Sequence, residues 1–375
     1  MNEKEIGELR RTITPDKTGI QRIRGALVAE NREILSTFNG TLGMCSEREG
    51  EELLSIIKKT LSGTYGKNLI DIEFTTQQVL SGEEHKLLSE LRKSSLENDE
   101  AVDTLYKKII ESVHIEGGYI ILLASDKYDV FSYSSDGKKK EDSATTFSYF
   151  LCAVCPVKLT KPQLSFYANE FHSIGASSVI CPPALGFIFP AFDDRAANIY
   201  GALMYTKDTY NSQSEFVDKL FKSEPPMPAG IQKQTFESIL SDAVADECDM
   251  EVVSAVHERI CTMVEDHKAA REPEPLMISK STVKSVLSEC GVAEEKVAEF
   301  DKRFDQSFGK GTVIPPKNII NTKQFEVKTP DVVINVNPER PDLIKTEIID
   351  GTKYIMIRAE DDVTVNGVSI KITKQ

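Results

Sequence analysis

The chain has 375 residues, of which 40% are hydrophobic and 28% are charged, and its net charge is −14. That length predicts two or three domains. The negative charge disfavours unspecific attraction to nucleic-acid phosphates and to anionic membranes, and no apolar stretch approaches the roughly 20 residues that span a bilayer. The charged N-terminal segment lacks the apolar core of a secretory signal, and seven scattered cysteines are typical of reduced thiols. We therefore expect a cytoplasmic protein without a membrane-spanning segment.

The first segment, residues 1–225, mixes helical and strand patterns. Apolar residues recur at helical spacing in three stretches, at 2–11, 47–61 and 98–113. Alternating apolar and polar residues predict two strands that turn near Glu30 and Asn31, and a further strand over 68–76. This segment is therefore expected to form an α+β domain.

Apolar runs between residues 119 and 207 predict a largely antiparallel sheet in that domain. Short connections join these runs, and such connections suit hairpins better than helical crossovers. Asp136 and Gly137 predict a tight turn, because both residue types tolerate positive φ. Three lysines follow this turn, at Lys138–Lys140.

Two further segments follow the proline-rich stretch at 223–230. Residues 226–310 are predicted to be helical, with several apolar stripes at helical spacing. Residues 311–375 are predicted to be β-rich, with hairpin turns at Asp350-Gly351 and Asn366-Gly367. The expected fold class is α+β, with a mixed front region, a helical middle segment and a β-rich C-terminal segment.

The main candidate for a functional loop follows an apolar run that ends at Phe192. Asp193, Asp194 and Arg195 are the catalytic candidates, because paired carboxylates can bind a metal ion or transfer protons. Asn198 and Tyr200 follow as candidate binding residues. The alternative is a solvated turn in which an aspartate pairs with the arginine.

The stretch 224–230 contains three prolines, which preorganise an extended backbone. Glu224 and Met227 are candidate binding residues if this stretch recognises a partner. A rigid linker between two domains explains the same composition equally well.

Two residue pairs have spacings that metal or redox sites use. His257 and Cys261 lie four residues apart on a predicted helix and therefore on one face, as metal ligands would. Partial burial beside an apolar stripe explains that spacing too. Cys152 and Cys155 lie within a predicted strand, where their side chains point to opposite faces. That position favours buried apolar cysteines over a redox pair or a zinc site, and no cofactor is predicted.

Motifs of the common enzyme classes are missing from the sequence. It has no phosphate-binding loop, dinucleotide fingerprint, G-x-S-x-G elbow or H-E-x-x-H pair. The helices predicted over 281–304 have the apolar spacing of a helix-turn-helix around Gly291. Because acidic residues crowd the second helix and would repel DNA, a plain helical hairpin is favoured.

Five stretches of the sequence resemble an uncharacterised bacterial family, domain of unknown function 4317, over nearly the whole chain. The resemblance implies no catalytic or binding residues, because the family has no assigned chemistry. The order of segments is also similar to that of bacterial nucleoid-associated proteins. The stretches are EIGELRRTITPDKTGIQRIRG, CPVKLTKPQLSFYANEF, FIFPAFDDRAANIYGALMYTK, EPPMPAGIQKQTF and TPDVVINVNPERPDLIKT.

The leading functional hypothesis is a non-enzymatic protein that acts by contacts with a protein or a nucleic acid. A nucleoid-associated or regulatory role requires a basic stripe made of Arg10, Arg11, Arg22, Arg24 and Lys138–Lys140. One alternative is a hydrolase-type enzyme centred on the 193–195 loop. Another is a structural component of a protein complex or homo-oligomer, which predicts an exposed apolar surface.

Overall fold

The structure, a computed structural model, describes residues 1–20, 22–133, 139–244, 247, 249–270, 275–322, 324–338, 340–359, 363–365 and 368–370. Within these ranges it places side chains except those of residues 131–133, 139–144, 167 and 174. The chain divides into two compact units, unit 1 at Met1–Ala229 and unit 2 at Gly230–Gln375. The finer division at residues 225 and 310 stays a prediction.

Unit 1 combines six helices with a large antiparallel sheet among its described residues, which confirms the α+β fold class. Its helices are α1 (Glu3–Thr12), α2 (Glu47–Lys58), α3 (Thr76–Ser81), α4 (Glu83–Lys93), α5 (Asp99–Ser112) and α6 (Ser214–Phe221). Its strands are β1 (Arg22–Val28), β2 (Ile34–Thr41), β3 (Leu69–Glu73), β4 (Tyr119–Tyr133), β5 (Lys139–Leu159), β6 (Gln163–Tyr167), β7 (Glu170–Ile174), β8 (Ser178–Ile180), β9 (Leu185–Phe189), β10 (Ala191–Asp193), β11 (Ala196–Asn198) and β12 (Gly201–Thr206).

The largest sheet among the described residues has eight strands. Seven of them follow the order β2-β1-β4-β5-β9-β12-β3, and β8 pairs with the end of β5. Every neighbouring pair is antiparallel, as the short connections predict. Strands β2 and β3 therefore form the two edges of this sheet.

Helices cover both faces of the sheet, which explains the uninterrupted apolar run at residues 119–124 of β4. Successive side chains of a strand point to opposite faces, so Ile121 and Leu123 of β4 pack with α4, α5 and α6. Ala124 of the same strand packs with α1 and α2 instead. A strand that is buried on both sides therefore has a nearly continuous run of apolar residues.

Unit 2 begins with four helices around a separate core and continues into short hairpins. The described core includes Phe236, Val256, Leu287 and Phe300 from the helices, and also Ile314 from beyond residue 310. The helices are α7 (Ala229–Val244), α8 (Met250–Ala270), α9 (Lys280–Glu289) and α10 (Glu294–Phe308). The strands are β13 (Ile278–Ser279), β14 (Val313–Ile314), β15 (Phe325–Lys328), β16 (Val333–Val336), β17 (Ile344–Ile349), β18 (Thr352–Ile357), β19 (Val363–Val365) and β20 (Val368–Ile370).

One of the three turns predicted at an Asp-Gly or Asn-Gly pair can be compared with the structure. Asp350 and Gly351 connect β17 to β18 with φ of 52° and 79°, the left-handed region that a two-residue hairpin turn requires. Asp136-Gly137 and Asn366-Gly367 lie outside the described residues. No helix in the described ranges combines the length and apolar character needed to cross a membrane.

Close packing of the sheet predicts a large effect of adding one methyl group at Gly186. A Cβ atom there would lie 2.4 Å from the carbonyl oxygen of Cys152 and 2.7 Å from Cγ2 of Thr60. We expect Gly186→Ala to lower the free energy of unfolding by about 1–3 kcal/mol, measured by urea denaturation. Gly175→Ala is the control, because its Cβ would meet nothing within 4 Å. Equal midpoints for the two variants would contradict this packing.

Candidate functional site

Asp194 and Arg195 form the tight turn between β10 and β11 rather than an extended loop. Their φ angles are 47° and 54°, so both residues adopt the left-handed region that a two-residue hairpin turn requires. The turn brings Asp193 to the end of β10, close to helix α1. The three catalytic candidates therefore lie on one short hairpin.

Three carboxylates meet where this hairpin approaches α1. Ligand oxygens of Glu5, Asp193 and Asp194 all lie within 4.8 Å of one another. Glu5 is buried, and its carboxylate accepts hydrogen bonds from the backbone N–H of Asn2 at 2.8 Å and from that of Arg195 at 3.4 Å. Carboxylate oxygens are the ligands that hard cations prefer, but Glu5 also serves here as part of the capping box of α1.

The acidic region extends to Asp71 on the edge strand β3. The hydroxyl of Tyr65 donates a hydrogen bond to the carboxylate of Asp71. Burial raises the pKa of Asp71, although the bond from Tyr65 acts in the opposite direction. Burial and the bond to Asp71 also raise the pKa of Tyr65. Neither residue is among the candidates predicted from the sequence, because no local pattern links β3 to the 193–195 turn.

The guanidinium of Arg195 pairs with Glu8 of α1. Its Nη2 and Nε atoms donate to the two carboxylate oxygens of Glu8 at 2.8 and 3.2 Å, and Tyr128 donates its hydroxyl to Glu8 at 2.6 Å. Burial opposes the charged form of Glu8, but the bonds from Arg195 and Tyr128 outweigh it and lower the pKa of Glu8. Burial and Glu8 raise the pKa of Tyr128 to about 12. This network ties the hairpin to α1.

Asn198 and Tyr200 complete the same hairpin. The amide of Asn198 donates to the carboxylate of Asp193 at 3.1 Å, and its oxygen accepts the backbone N–H of Tyr200 at 3.0 Å. The side chain of Tyr200 is exposed. The structure therefore brings Asn198 to Asp193, where its bonds shape the hairpin.

The proline-rich stretch lies at the end of unit 1. Residues 222–228 adopt neither helix nor strand, with Glu224 exposed and Met227 half-buried. Their role in binding stays a prediction.

The structure places His257 and Cys261 in contact with each other inside unit 2. Nε2 of His257 donates to the backbone carbonyl of Asn321 at 3.1 Å, so Nδ1 is left to accept from the Cys261 thiol at 3.7 Å. The ring of His257 also packs against Phe325. Burial raises the pKa of Cys261, which disfavours the thiolate that metal binding needs. Within the described residues, no third metal-ligating side chain joins this pair.

Cys152 and Cys155 point to opposite faces of the sheet, as their separation in a strand requires. Cys152 packs among residues beneath α4, α5 and α6, and Cys155 packs beside Ile120 on the other face. Burial raises the pKa of both thiols. Buried thiols of this kind are poor nucleophiles and poor metal ligands.

The basic residues considered for nucleic-acid binding differ in burial and in whether a carboxylate pairs with them. Arg24 is buried and pairs with Asp99 at 2.7 Å, and Arg22 pairs with Glu97 at 2.9 Å. Arg10 and Arg11 are exposed at the end of α1. The side chains of Lys138–Lys140 lie outside the described residues. Two of the expected basic residues are thus already neutralised by neighbouring carboxylates.

The helices α9 and α10 form a hairpin that ion pairs hold together. Lys284 bonds to Asp301 at 3.0 Å, and Lys280 bonds to Asp305 at 2.7 Å. Gly291 lies in the turn with φ of 79°. Acidic residues of the would-be DNA-reading helix α10 are therefore used to bind α9.

A separate two-stranded hairpin of unit 1, β6–β7, carries a cluster of exposed apolar side chains. We call residues 159–179 the arm; it comprises the end of β5, the β6–β7 hairpin and the start of β8. Phe166 pairs directly with Phe171 across the hairpin, and their ring centroids are 5.0 Å apart. Leu164, Phe166 and Phe171 lie on one face and are 70%, 63% and 73% exposed.

Local backbone chemistry holds the arm in this shape. Ala168 and Asn169 form its turn with φ of 52° and 64°, and asparagine is among the residues that adopt this region most readily. At the base, the backbone N–H of Thr160 donates to the carbonyl of Ser177 at 2.9 Å. The arm is not among the sites predicted from sequence. Its signal is the alternation of Leu164 and Phe166 before a turn residue.

These features define an α+β protein with a tightly tied acidic hairpin and an exposed apolar arm. The family model described as Domain of unknown function (DUF4317) matches residues 1–368, and the chain belongs to that family. A comparison with curated proteins finds no match.

Loss of the negative charge on Glu8 should weaken unit 1 in a pH-dependent way. The lowered pKa of Glu8 means that its stabilising effect is complete above its ordinary value of 4.5 and is lost as pH falls through the folded-state value. We expect Glu8→Gln to cost about 0.5–1 kcal/mol at pH 7, in urea unfolding. The difference from the unmodified protein should disappear at acid pH.

The control for this experiment is Glu51→Gln, which removes an exposed carboxylate from α2. We expect it to leave the free energy of unfolding almost unchanged at either pH. A Glu8→Gln effect of equal size at neutral and acid pH would contradict the charged Glu8–Arg195 pair.

Proposed function

We propose that this protein acts by contacts with other proteins rather than by catalysis, as a component of a protein assembly. The arm is the observation that carries the proposal. Exposed apolar clusters with polar surroundings are typical of protein interaction sites. An isolated two-stranded hairpin is also marginal in water, so a partner that covers the arm would stabilise it.

The energies involved are sufficient for specific recognition. Full burial of one large apolar side chain contributes about 1.5–3 kcal/mol. Phe166, Phe171 and Leu164 could therefore act together as anchors, since aromatic residues in a well-packed pocket dominate many interfaces. The directly paired rings are already ordered against each other, which reduces the entropy lost on binding.

A nucleoid-associated or other nucleic-acid role has less support. Phosphate backbones are bound by lysine and arginine side chains that are available to them. Arg22 and Arg24 are instead paired with Glu97 and Asp99. The net charge of −14 also opposes nucleic acid as a general partner. We therefore place protein partners first, and a regulatory role would be exerted through them.

The alternative proposal is a hydrolase-type enzyme centred on Asp193, Asp194 and Arg195. The proximity of Glu5 to both aspartates supports it. The pairing of Arg195 with Glu8 weighs against it, because that guanidinium is already engaged in holding α1. His85 lends it no support, because its ring already donates to the backbone carbonyl of Ile199 and packs against Phe74 and Phe189.

We also propose that the protein works in the bacterial cytoplasm. The six cysteines within the described residues are free of disulfides. Free cysteines are typical of reducing compartments.

Affinity capture from native cells tests the role of the arm. We expect partner proteins that persist through high salt and nuclease treatment, and that are lost when Phe166→Ser and Phe171→Ser are combined. Leu80→Ser is the matched control, because Leu80 is an exposed apolar residue on α3, outside the arm. Capture of the same proteins by the arm variant would contradict the proposal. So would nucleic acid as the retained partner.

A further inference from the structure

The two edges of the main sheet differ in how they are protected. Strand β3 carries Asp71 and Glu73, and Tyr65 forms a bridge beside Leu69. Charged residues on an edge strand discourage pairing with another chain. Strand β2, at the opposite edge, reads ILSTFNGT and contains neither a charged residue nor a proline.

Strand β2 is also exposed and regular over most of its length. It pairs with β1 without interruption from Ser36 to Thr41, and the only register shift lies next to Ile34. Leu35 is 63% exposed, and Ile34 and Phe38 are about two-fifths exposed. An edge strand presents a row of backbone N–H and C=O groups on its outer side. The ligand that satisfies such a row is another extended strand.

Phe38 fixes the shape of this edge. Its ring covers Gly25 of β1, where an added Cβ would come within 2.2 Å of the ring. Because Gly25 has no side chain, the ring of Phe38 can pack directly on the backbone of β1. This contact holds β2 in an extended conformation before any partner binds. A preorganised strand loses less entropy when it binds.

The charge pattern favours a second copy of this chain as the occupant. The charged residues Glu30, Arg32 and Glu33 precede β2, whereas residues 42–46 after it are uncharged. In an antiparallel pair of two β2 strands, the charged end of one copy lies beside the uncharged end of the other. Like charges of the two copies are thus kept apart along this edge, although each copy carries a net charge of −14.

We propose that β2 pairs antiparallel with β2 of a second copy, so that the two sheets join into one across a two-fold axis. Such an isologous contact is closed and gives a dimer rather than a filament. The two-fold axis is perpendicular to the joined sheet, so equivalent faces of the two copies lie on the same side. The axis passes through the middle of β2, at Thr37 or at Phe38. This dimer is independent of the arm, and either surface can fail without the other.

Charge substitution at Thr37 tests the pairing in the full-length protein. Thr37 is exposed at the middle of β2. A charge placed there would lie opposite the same charge of the second copy, or about one residue pair away from it, and like charges at that distance repel. We expect the unmodified chain to be a dimer in sedimentation velocity at about 1–100 µM. Thr37→Lys and Thr37→Glu should each weaken dimerisation by about tenfold or more.

An equimolar mixture of the two variants should dimerise again, because opposite charges then meet at the axis. This recovery separates lost pairing from misfolding, since misfolded variants would not rescue each other. Leu80→Lys is the control and should stay dimeric. A monomeric unmodified chain, a dimer unaffected by Thr37→Lys, or a mixture that fails to recover would each overturn the proposal.

Discussion

Burial of the central sheet on both faces is the constraint on which unit 1 depends. Residues of β4 and β5 alternate between the core beneath α4, α5 and α6 and the core beneath α1 and α2. Every position at 119–124 of β4 and at 149–155 of β5 is therefore occupied by a buried residue. Apolar surface that such a sheet still offers to a partner can lie only at its edges and on the segments that extend beyond it. The arm and β2 are those places.

The strong apolar patterns of the sequence were sufficient to predict most of this scaffold. The run that contains Ile120 and Ile121 was predicted as a strand because it is short and apolar, and it is a strand because both faces are buried. The spacing of Val102, Leu105 and Ile109 likewise predicted α5. Helices α3, α4 and α6 were missing from the predicted elements. Helix α4 has many charged residues, and only His85, Leu88 and Leu91 of its side chains are buried, so its apolar stripe is short.

The candidate site was less predictable because its contacts join distant parts of the chain. The turn at 193–195 could be recognised as polar, but Arg195 pairs with Glu8, which lies 187 positions away. No local spacing indicates such a pair. The arm had a local signal in Leu164 and Phe166, yet the alternation alone does not say whether that face is covered. Exposure, which the fold decides, distinguishes an interaction surface from a core strand.

The contact role assigned to the arm can be measured most directly by photo-crosslinking in living cells. A benzophenone amino acid in place of Phe166 would report which molecules lie against that face. We expect a dominant adduct with one protein, or a small set of proteins, and no such adduct from the same group placed at the exposed Leu80. Equal labelling from both positions, or adducts with nucleic acid alone, would contradict a protein partner at the arm.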